Sequence, residues 1–246
     1  MRFTVVTLFP EIIDGYFANS IMAKAVESGM VEYSVVNIRD YAEDRHKTCD
    51  DAPYGGGAGM VLKPEPLSAA IENNFHDEKI IYMSASGTRF TQGTAHELSR
   101  EKGLMMLCGR YEGVDQRIID RYVDMELCIG DFVLSSGEVA ALACIDAVYR
   151  LCEGIISADS LEEESFQNGL LEYPHYTRPE VFQGMKVPEV LLSGHHENIQ
   201  AWRLQKSIEK TMKNRRDLLK KACENEKIAK IYKNIADVKE NEDGIN

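Results

Sequence analysis

The chain has 246 residues, of which 44% are hydrophobic and 28% charged, a globular composition with room for one large domain or a medium-sized domain plus a small one. Its formal net charge of −12 argues against a general nucleic-acid binder, although a local basic patch can still meet phosphates. The sequence has no run of about 18 apolar residues, and its six cysteines form no Cys-x-x-Cys pair, which excludes a membrane span, a zinc site and a disulfide framework. We therefore expect a cytoplasmic protein with reduced thiols.

The first part of the chain alternates strands with helices. Strands are predicted at Phe3–Phe9, Val31–Ile38, Lys79–Ser84, Leu104–Cys108 and Met125–Ile129. Helices are predicted at Ile12–Val26 (interrupted near Asn19), Pro64–Phe75, Thr91–Lys102, Val114–Val123 and Val139–Arg150. The first strand ends in Pro10 and Glu11 without a small-residue cleavage site, so we do not expect a signal peptide. The alternation predicts an α/β fold with a mostly parallel sheet.

Glycine- or serine-rich loops follow three of these strands, where parallel sheets bind ligands. They are Ser84–Gly87, Gly109–Gly113 and Gly130–Gly137, and we expect them to line one pocket. In the third loop, the apolar run Phe132–Leu134 is typical either of a site for a flat ligand or of a buried strand extension. Ser135 and Glu138 have capping-box spacing and predict the start of the next helix.

The long polar stretch Arg39–Lys63 contains the glycine-rich segment Tyr54–Gly59. This segment lacks the Lys-Ser or Lys-Thr of a nucleotide-triphosphate loop and the last glycine of the dinucleotide pattern. Its glycines allow close backbone approach to an RNA, and a mobile surface loop is the alternative. Arg150 lies four residues after Asp146 on one helix, so from spacing alone a surface ion pair is its simplest role.

The character of the chain changes after Gly154. An acidic linker is predicted at 155–164, between a domain at 1–154 and a small helical domain at 165–246. Two helices are predicted there, at Glu197–Met212 and Arg215–Lys233. The segment from His195 to Ala222 is rich in Lys and Arg and remains a candidate phosphate-binding surface.

Five stretches together resemble bacterial tRNA (guanine-N1)-methyltransferases of the TrmD type. They occur in the same order as in that family and are Asp44–Met60, Cys108–Gly113, Ile129–Glu138, Gly169–Pro179 and Leu192–His196. The resemblance runs from the N-terminus to about Leu219. It implies a homodimer of the SPOUT class, whose α/β domain ends in a deep trefoil knot, a rare exception to unknotted chains.

The resemblance also implies the cofactor and the substrate. S-adenosylmethionine would lie in the knot loops, and N1 of the guanosine just 3′ of the anticodon, at tRNA position 37, would be methylated. The cofactor-binding residues implied are Tyr82, Ser84, Gly109, Tyr111, Glu112, Ile129, Gly130, Asp131, Phe132, Val133, Leu134 and Gly137. The tRNA-binding residues implied are Asp50, Arg203, Lys206, Lys210, Arg215 and Arg216. A Mg²⁺ requirement is implied as well, but the sequence shows no ligand set for it.

Methylation at N1 requires removal of the N1 proton by a base and stabilisation of negative charge on O6. In the family, an Asp directly before Ser-Phe is the base and an Arg late in the knot helix is the cation. Here Arg150 matches the Arg, whereas Glu164 precedes Ser165-Phe166 and would be the base, with Asp159 as the reserve candidate. Smaller departures are Ala58, Ala85 and Ala140 for Pro, Ser136 for Gly and Phe132 for Tyr.

Three other functions compete with this one. A non-catalytic tRNA-binding homologue is suggested by Glu164 in place of Asp. A related knotted methyltransferase of ribosomal RNA would share the cofactor site. A nicotinamide oxidoreductase fits the fold class alone and lacks the G-x-G-x-x-G pattern.

Overall fold

The computed structural model describes residues 1–157, 164–166 and 168–243, with side chains described as far as 237. The chain divides into two compact units, Met1–Ser157 and Ala158–Asn246. Asp159 and most of the predicted acidic linker lie outside the described residues. None of the described helices has the length and apolar character needed to cross a membrane.

A five-stranded parallel sheet forms the centre of the first unit. Its strands are β1 (Arg2–Thr7), β2 (Glu32–Asn37), β5 (Lys79–Arg89), β6 (Gly103–Cys108) and β7 (Met125–Cys128). They lie in the order β2-β1-β6-β5-β7. A separate two-stranded ladder pairs β3 (Asp50–Asp51) with β4 (Val61–Leu62), inside the long polar stretch Arg39–Lys63. The α/β class with a mostly parallel sheet is confirmed.

Six helices accompany the sheet of the first unit. They are α1 (Pro10–Phe17), α2 (Ser20–Glu27), α3 (Pro64–Asn74), α4 (Gln92–Leu98), α5 (Gln116–Tyr122) and α6 (Glu138–Tyr149), and a short 3₁₀ helix spans Ile38–Tyr41. Successive side chains of a strand point to opposite faces, so the fully buried β6 serves two cores. Leu104, Met106 and Cys108 pack into the core that includes α6. Met105 and Leu107 pack into the core that includes α3 and α5.

The prediction that β5 ends at Ser84 is wrong. The strand continues to Arg89, and its pairing with β7 is interrupted between Met83 and Thr88, which both pair with Leu127. The continued pairing requires glycine at position 87, because a Cβ there would clash with the backbone carbonyl carbon of Glu126, at 2.6 Å. The intervening residues therefore bulge out of the sheet instead of forming a connection to the next helix.

The second unit contains a short hairpin and helices packed around their own small core. The hairpin pairs β8 (Val181–Phe182) with β9 (Met185–Lys186), and the helices span Glu189–Leu192, His196–Asn214, Arg216–Ala222 and Glu226–Asp243. The prediction of a single helix at Arg215–Lys233 is wrong, because one helix ends at Ala222 and another begins at Glu226. Asn225 accepts hydrogen bonds from the amides of Lys227 and Ile228, at 3.0 and 3.4 Å, and so caps a new helix.

Candidate functional site

The three predicted loops line one cavity of about 360 Å³ at the carboxyl edge of the sheet. Eleven of the twelve residues expected to bind the cofactor are in its lining, which runs through 82–86, 109–113, 127–130, 132–137 and 140. Asp131 is the exception, because its side chain is exposed and does not line the cavity. A volume of this size is in the usual range of small-molecule sites.

Two glycines allow close contacts in the floor of the cavity, Gly109 with a side chain and Gly137 with backbone. A Cβ on Gly109 would lie 2.8 Å from the hydroxyl of Tyr82, and a Cβ on Gly137 would lie 2.9 Å from the Cα of Cys108. The amide of Gly137 donates a hydrogen bond to the carbonyl of Gly109 at 2.9 Å. The third loop is therefore held directly against the end of β6, although β7, from which it comes, is an edge strand.

Substituting Gly137 by Ala should damage this floor. The new methyl group would collide with backbone rather than with a flexible side chain, so the loop or α6 must shift. We expect a loss of stability of roughly 1–3 kcal/mol and at least a tenfold loss of affinity for the ligand of the cavity, which the resemblance implies to be S-adenosylmethionine, measured by calorimetry. Gly93→Ala in α4 is the matched control, since the nearest atom to its Cβ would be 3.6 Å away. Equal ligand affinity of the two variants would remove Gly137 from the site.

The wall of the cavity carries one acidic and one basic side chain. The amide of Glu112 donates to the carbonyl of Met60 at 3.0 Å, and Gly59 provides the space for the Glu112 side chain. Arg110 lies over the ring of Phe9, with 4.6 Å between guanidinium carbon and ring centroid. Tyr82 is buried, and burial raises the pKa of its phenol, so it remains neutral at physiological pH.

An apolar rim is open to solvent on the third loop. Phe132, Val133 and Leu134 are exposed by 54%, 90% and 40%, and Val139 in the first turn of α6 is exposed by 55%. Of the two alternatives left open by the sequence, a buried strand extension is therefore wrong. Contiguous exposed apolar side chains of this kind mark binding surfaces.

The predicted capping box at the start of α6 is also wrong. Gly137 occupies the N-cap position and no side chain caps the helix. Glu138 is buried instead and accepts a hydrogen bond of 2.5 Å from the hydroxyl of Thr7. Burial, with a smaller contribution from the Glu138 carboxylate, raises the pKa of the Cys108 thiol well above its usual value. Cys108 is consequently a protonated packing residue rather than a nucleophile.

Arg150 lies at the other end of α6 from the cavity. It caps the C-terminus of the helix and is half-buried, whereas Ala140 of the first turn lines the cavity. Ten residues of α-helix separate the two, which is about 15 Å at 1.5 Å per residue. Arg150 is therefore remote from the cavity of its own chain.

Glu164 begins an ordered turn of the second unit. It is half-buried, and Ser165, which follows it, accepts a hydrogen bond from the amide of Glu172 at 3.0 Å. The amide of Phe166 donates to the carbonyl of Leu170 at 2.8 Å. The position expected to hold the base is thus fixed by backbone contacts on its C-terminal side.

The five basic residues expected at the tRNA surface all have partners within the second unit. Arg203 lies 4.7 Å from the ring centroid of Tyr173 and is half-buried. Lys206 pairs with Glu209 at 2.6 Å. Lys210 donates to the carbonyl of Glu172 at 2.9 Å, Arg215 pairs with Asp217 at 2.6 Å, and Arg216 donates to the carbonyl of Met212 at 3.0 Å.

Asp50, the remaining residue expected to contact tRNA, belongs to the first unit. It lies in β3 opposite Leu62 of β4. Leu62 in turn accepts a hydrogen bond from the amide of Asp115 and donates one to the carbonyl of Gly113, a residue of the cavity wall. The β3–β4 ladder is therefore attached to the same wall as the cavity.

Four lining residues lie outside the three predicted loops and were not expected from the sequence, namely Met83, Leu127, Cys128 and Ala140. Six others belong to the predicted loops but were not among the twelve residues implied for the cofactor, namely Ala85, Ser86, Arg110, Gly113, Ser135 and Ser136. Arg110 pairs with Ser136 as an isolated antiparallel bridge, so the second and third loops meet through backbone. The position of Arg110 between Gly109 and Tyr111 was the sequence signal that could have assigned it to the cofactor site. Its pairing with Ser136 depends on tertiary structure and has no such signal.

The sequence was compared with known proteins. A family model described as tRNA (guanine-1)-methyltransferase TrmD matches residues 1–221. A tRNA (guanine-N(1)-)-methyltransferase of Treponema denticola is 60% identical over 242 residues, which cover 95% of this chain and all of the relative. Proteins of the same name from Borreliella burgdorferi and Treponema pallidum are 60% and 56% identical and cover 91% and 90% of this chain, and 95% and 89% of their own lengths.

Proposed function

Because the chain belongs to the tRNA (guanine-1)-methyltransferase TrmD family, we propose that it transfers a methyl group from S-adenosylmethionine to N1 of guanosine 37 in tRNA. The observation that carries the proposal for this chain is the cavity, because three separate loops of the first unit converge on it. It combines backbone that glycines leave accessible, an apolar rim and one carboxylate. These are the features that an adenosine and a positively charged amino acid require.

The residues of the cavity fit S-adenosylmethionine. Phe132, Val133 and Leu134 offer apolar contact to the adenine ring, and the backbone of Ile129 to Leu134 offers donors and acceptors to its edge. Ser84, Gly109 and Tyr111 would surround the ribose and the methionine part, and Glu112 places a negative charge near the cationic end. When bound, the cofactor supplies a methyl group that is already electrophilic.

The remaining chemistry belongs to side chains of this protein. We assign the removal of the N1 proton to the carboxylate of Glu164, with Asp159 as the reserve candidate. We assign the stabilisation of the charge that develops on O6 to the guanidinium of Arg150. The described residues form no cluster of three or more His, Cys, Asp and Glu side chains that suits a metal ion, so no step is assigned to Mg²⁺.

The position of Arg150 favours an active site built from two subunits. About 15 Å of helix separates it from the cavity of its own chain, and a homodimer can bring the Arg150 of a second copy to that cavity. The exposed apolar rim of Phe132, Val133, Leu134 and Val139 would then be buried between the subunits. We therefore propose a homodimer with a shared site.

We further propose that α6 closes a deep trefoil knot. Support comes from the path of the chain after β7, which leaves the edge of the sheet and returns to the end of the central strand β6. There Gly137 is hydrogen-bonded to Gly109, and Arg110 bridges Ser136. Such a crossing over the bulged residues of β5 requires the close backbone approach that Gly137 provides.

The second unit would contact the phosphates of the tRNA. Each basic residue that contacts a phosphate contributes about 1 to the magnitude of the slope of log K, the logarithm of the binding constant, against the logarithm of the salt concentration. Arg216→Ala should therefore weaken tRNA binding and lower that slope by about 1, with an unchanged melting temperature, in filter-binding titrations at several salt concentrations. Arg216 is exposed, and among the described residues its guanidinium donates to a backbone carbonyl, that of Met212, so we expect the fold to tolerate its loss.

Arg203→Ala should behave differently because Arg203 packs on the ring of Tyr173. We expect it to weaken tRNA binding and flatten the salt dependence, and also to lower stability by about 0.5–2 kcal/mol through the lost cation–π contact. An unchanged salt slope would remove either arginine from the tRNA interface.

The activity is tested directly by incubating the protein with labelled S-adenosylmethionine and tRNA that carries G37, and in a parallel reaction with ribosomal RNA. The proposal expects label in the tRNA and N1-methylguanosine at position 37 after nuclease digestion. A tRNA with A37 is the control and should stay unlabelled. Absence of transfer would leave a non-catalytic tRNA-binding homologue, and label in ribosomal RNA would point to the other knotted methyltransferases.

A further inference from the structure

Tyr54 stands out among the side chains that the proposed reaction does not use. Its relative exposure is 101%, so no part of the ring is covered by the described residues. It is followed by Gly55, Gly56 and Gly57, all with left-handed φ values of 85°, 80° and 126°. The three residues that follow Tyr54 therefore have no side chains that could cover the ring, and both faces of the ring are available for stacking.

The loop that carries Tyr54 is closed at its base and attached at its C-terminal end to the wall of the cavity. On one side, the carbonyl of the buried Cys49 accepts a hydrogen bond from the amide of Lys63 at 2.8 Å, which closes the base of the loop. On the other side, the carbonyl of Met60 accepts a hydrogen bond from the amide of Glu112. Gly59 also packs against Glu112, because a Cβ at position 59 would clash with the Glu112 carboxylate. Tyr54 is thus presented from a short loop whose base is part of the candidate site.

Exposed basic side chains lie around the base of this loop. The Arg117 guanidinium is 71% exposed and paired with Asp115 at 2.7 Å. The amide of Asp115 donates a hydrogen bond of 3.1 Å to the carbonyl of Leu62, so Arg117 follows two residues after a contact with the β3–β4 ladder that carries the loop. Arg45 and His46 are also exposed, in a turn that the Asp44 carboxylate holds by accepting hydrogen bonds from the amides of His46 and Thr48.

An open aromatic ring on a ladder whose base carries exposed basic side chains suits one kind of partner, an unpaired nucleotide. Proteins that bind single-stranded RNA stack its bases on aromatic rings and place cations along its phosphates. A guanosine that enters the cavity must leave its stack, and its loop neighbours then lose a stacking partner. From these contacts we propose that Tyr54 stacks on the base of a nucleotide adjacent to the target guanosine and holds the anticodon loop at the cavity. The inference rests on the proposed function and adds a substrate-binding residue to it.

The test compares Tyr54→Phe, Tyr54→Leu and Tyr54→Ala with the wild-type protein. Stacking needs the ring and not the hydroxyl, so Phe should retain wild-type kcat/KM for tRNA. Leu and Ala should lower it by roughly 5- to 100-fold, mainly through KM. Affinity for S-adenosylmethionine and the melting temperature should not change in any variant, because the fully exposed side chain is not covered by any residue that the structure describes.

A spectroscopic arm decides the inference without catalysis. An anticodon stem-loop RNA carries 2-aminopurine on the 5′ or, in a second RNA, the 3′ side of the target guanosine, and its fluorescence is read on binding. Wild type and Tyr54→Phe should quench one of the two probes beyond the level seen with Tyr54→Leu. Equal fluorescence for all proteins at both positions, or equal kcat/KM for Leu and wild type, would overturn the role of Tyr54. Wild-type protein that stacks the probe but transfers no methyl group would overturn the proposed activity alone.

Discussion

Replacing Glu164 by Gln is expected to lower the single-turnover rate of methyl transfer by about 100-fold or more. N1 of guanine carries a proton at neutral pH, and general base catalysis by a placed side chain contributes about 10²–10⁴-fold. Gln has almost the same size as Glu and can still accept a hydrogen bond, but it cannot take the proton. Binding of S-adenosylmethionine and of tRNA should therefore change little, and the loss should appear in the rate of the chemical step.

Asp159→Asn is the companion variant, because Asp159 is the other carboxylate proposed for this role. The expected result is a near wild-type rate for Asp159→Asn and a strongly reduced rate for Glu164→Gln, both measured with enzyme in excess over tRNA. Glu164→Asp is the conservative control and should retain part of the activity, since it keeps the carboxylate and shortens its reach by one methylene. A near wild-type rate for Glu164→Gln would exclude Glu164 as the base.

The sheet was accessible from the sequence because its strands are buried runs separated by helical patterns. All five strands were predicted, and the sheet is parallel as expected. The extension of β5 to Arg89 was not predicted, because Gly87 and the serines before it read as a turn. The extension depends instead on a contact between residues far apart in sequence. The backbone of β7 lies 2.6 Å from the position that a Cβ of Gly87 would occupy.

The cavity was predicted from the loops that follow three strands, and the structure brings those loops together. The same reasoning failed at the start of α6. Ser135 and Glu138 match a capping box locally, but a hydrogen bond between Glu138 and Thr7, 131 positions away in sequence, stabilises the inward orientation of the carboxylate. Local propensity predicts the end of an element, and tertiary contacts decide how its polar side chains are used.

Mixing two inactive variants should restore activity if the site is shared between subunits. One variant is Gly137→Ala, which damages the cavity and keeps Arg150, and the other is Arg150→Ala, which keeps the cavity. In a mixed dimer, the intact cavity of the second variant faces the intact Arg150 of the first. One of the two sites is then complete, and the mixed dimer should show about half of the wild-type rate, as expected for two equivalent sites related by symmetry.

The experiment uses two different affinity tags, so that the mixed dimer is purified away from both parent dimers before the rate is measured. Rates are measured at an S-adenosylmethionine concentration well below the Kd of Gly137→Ala, at which each parent alone should be nearly inactive. If each site instead took Arg150 from its own chain, one site of the mixed dimer would lack Gly137 and the other would lack Arg150, and neither would be complete. An inactive mixed dimer would therefore contradict the shared site. The position of Arg150, about 15 Å of helix away from the cavity of its own chain, is the physical reason to expect restoration.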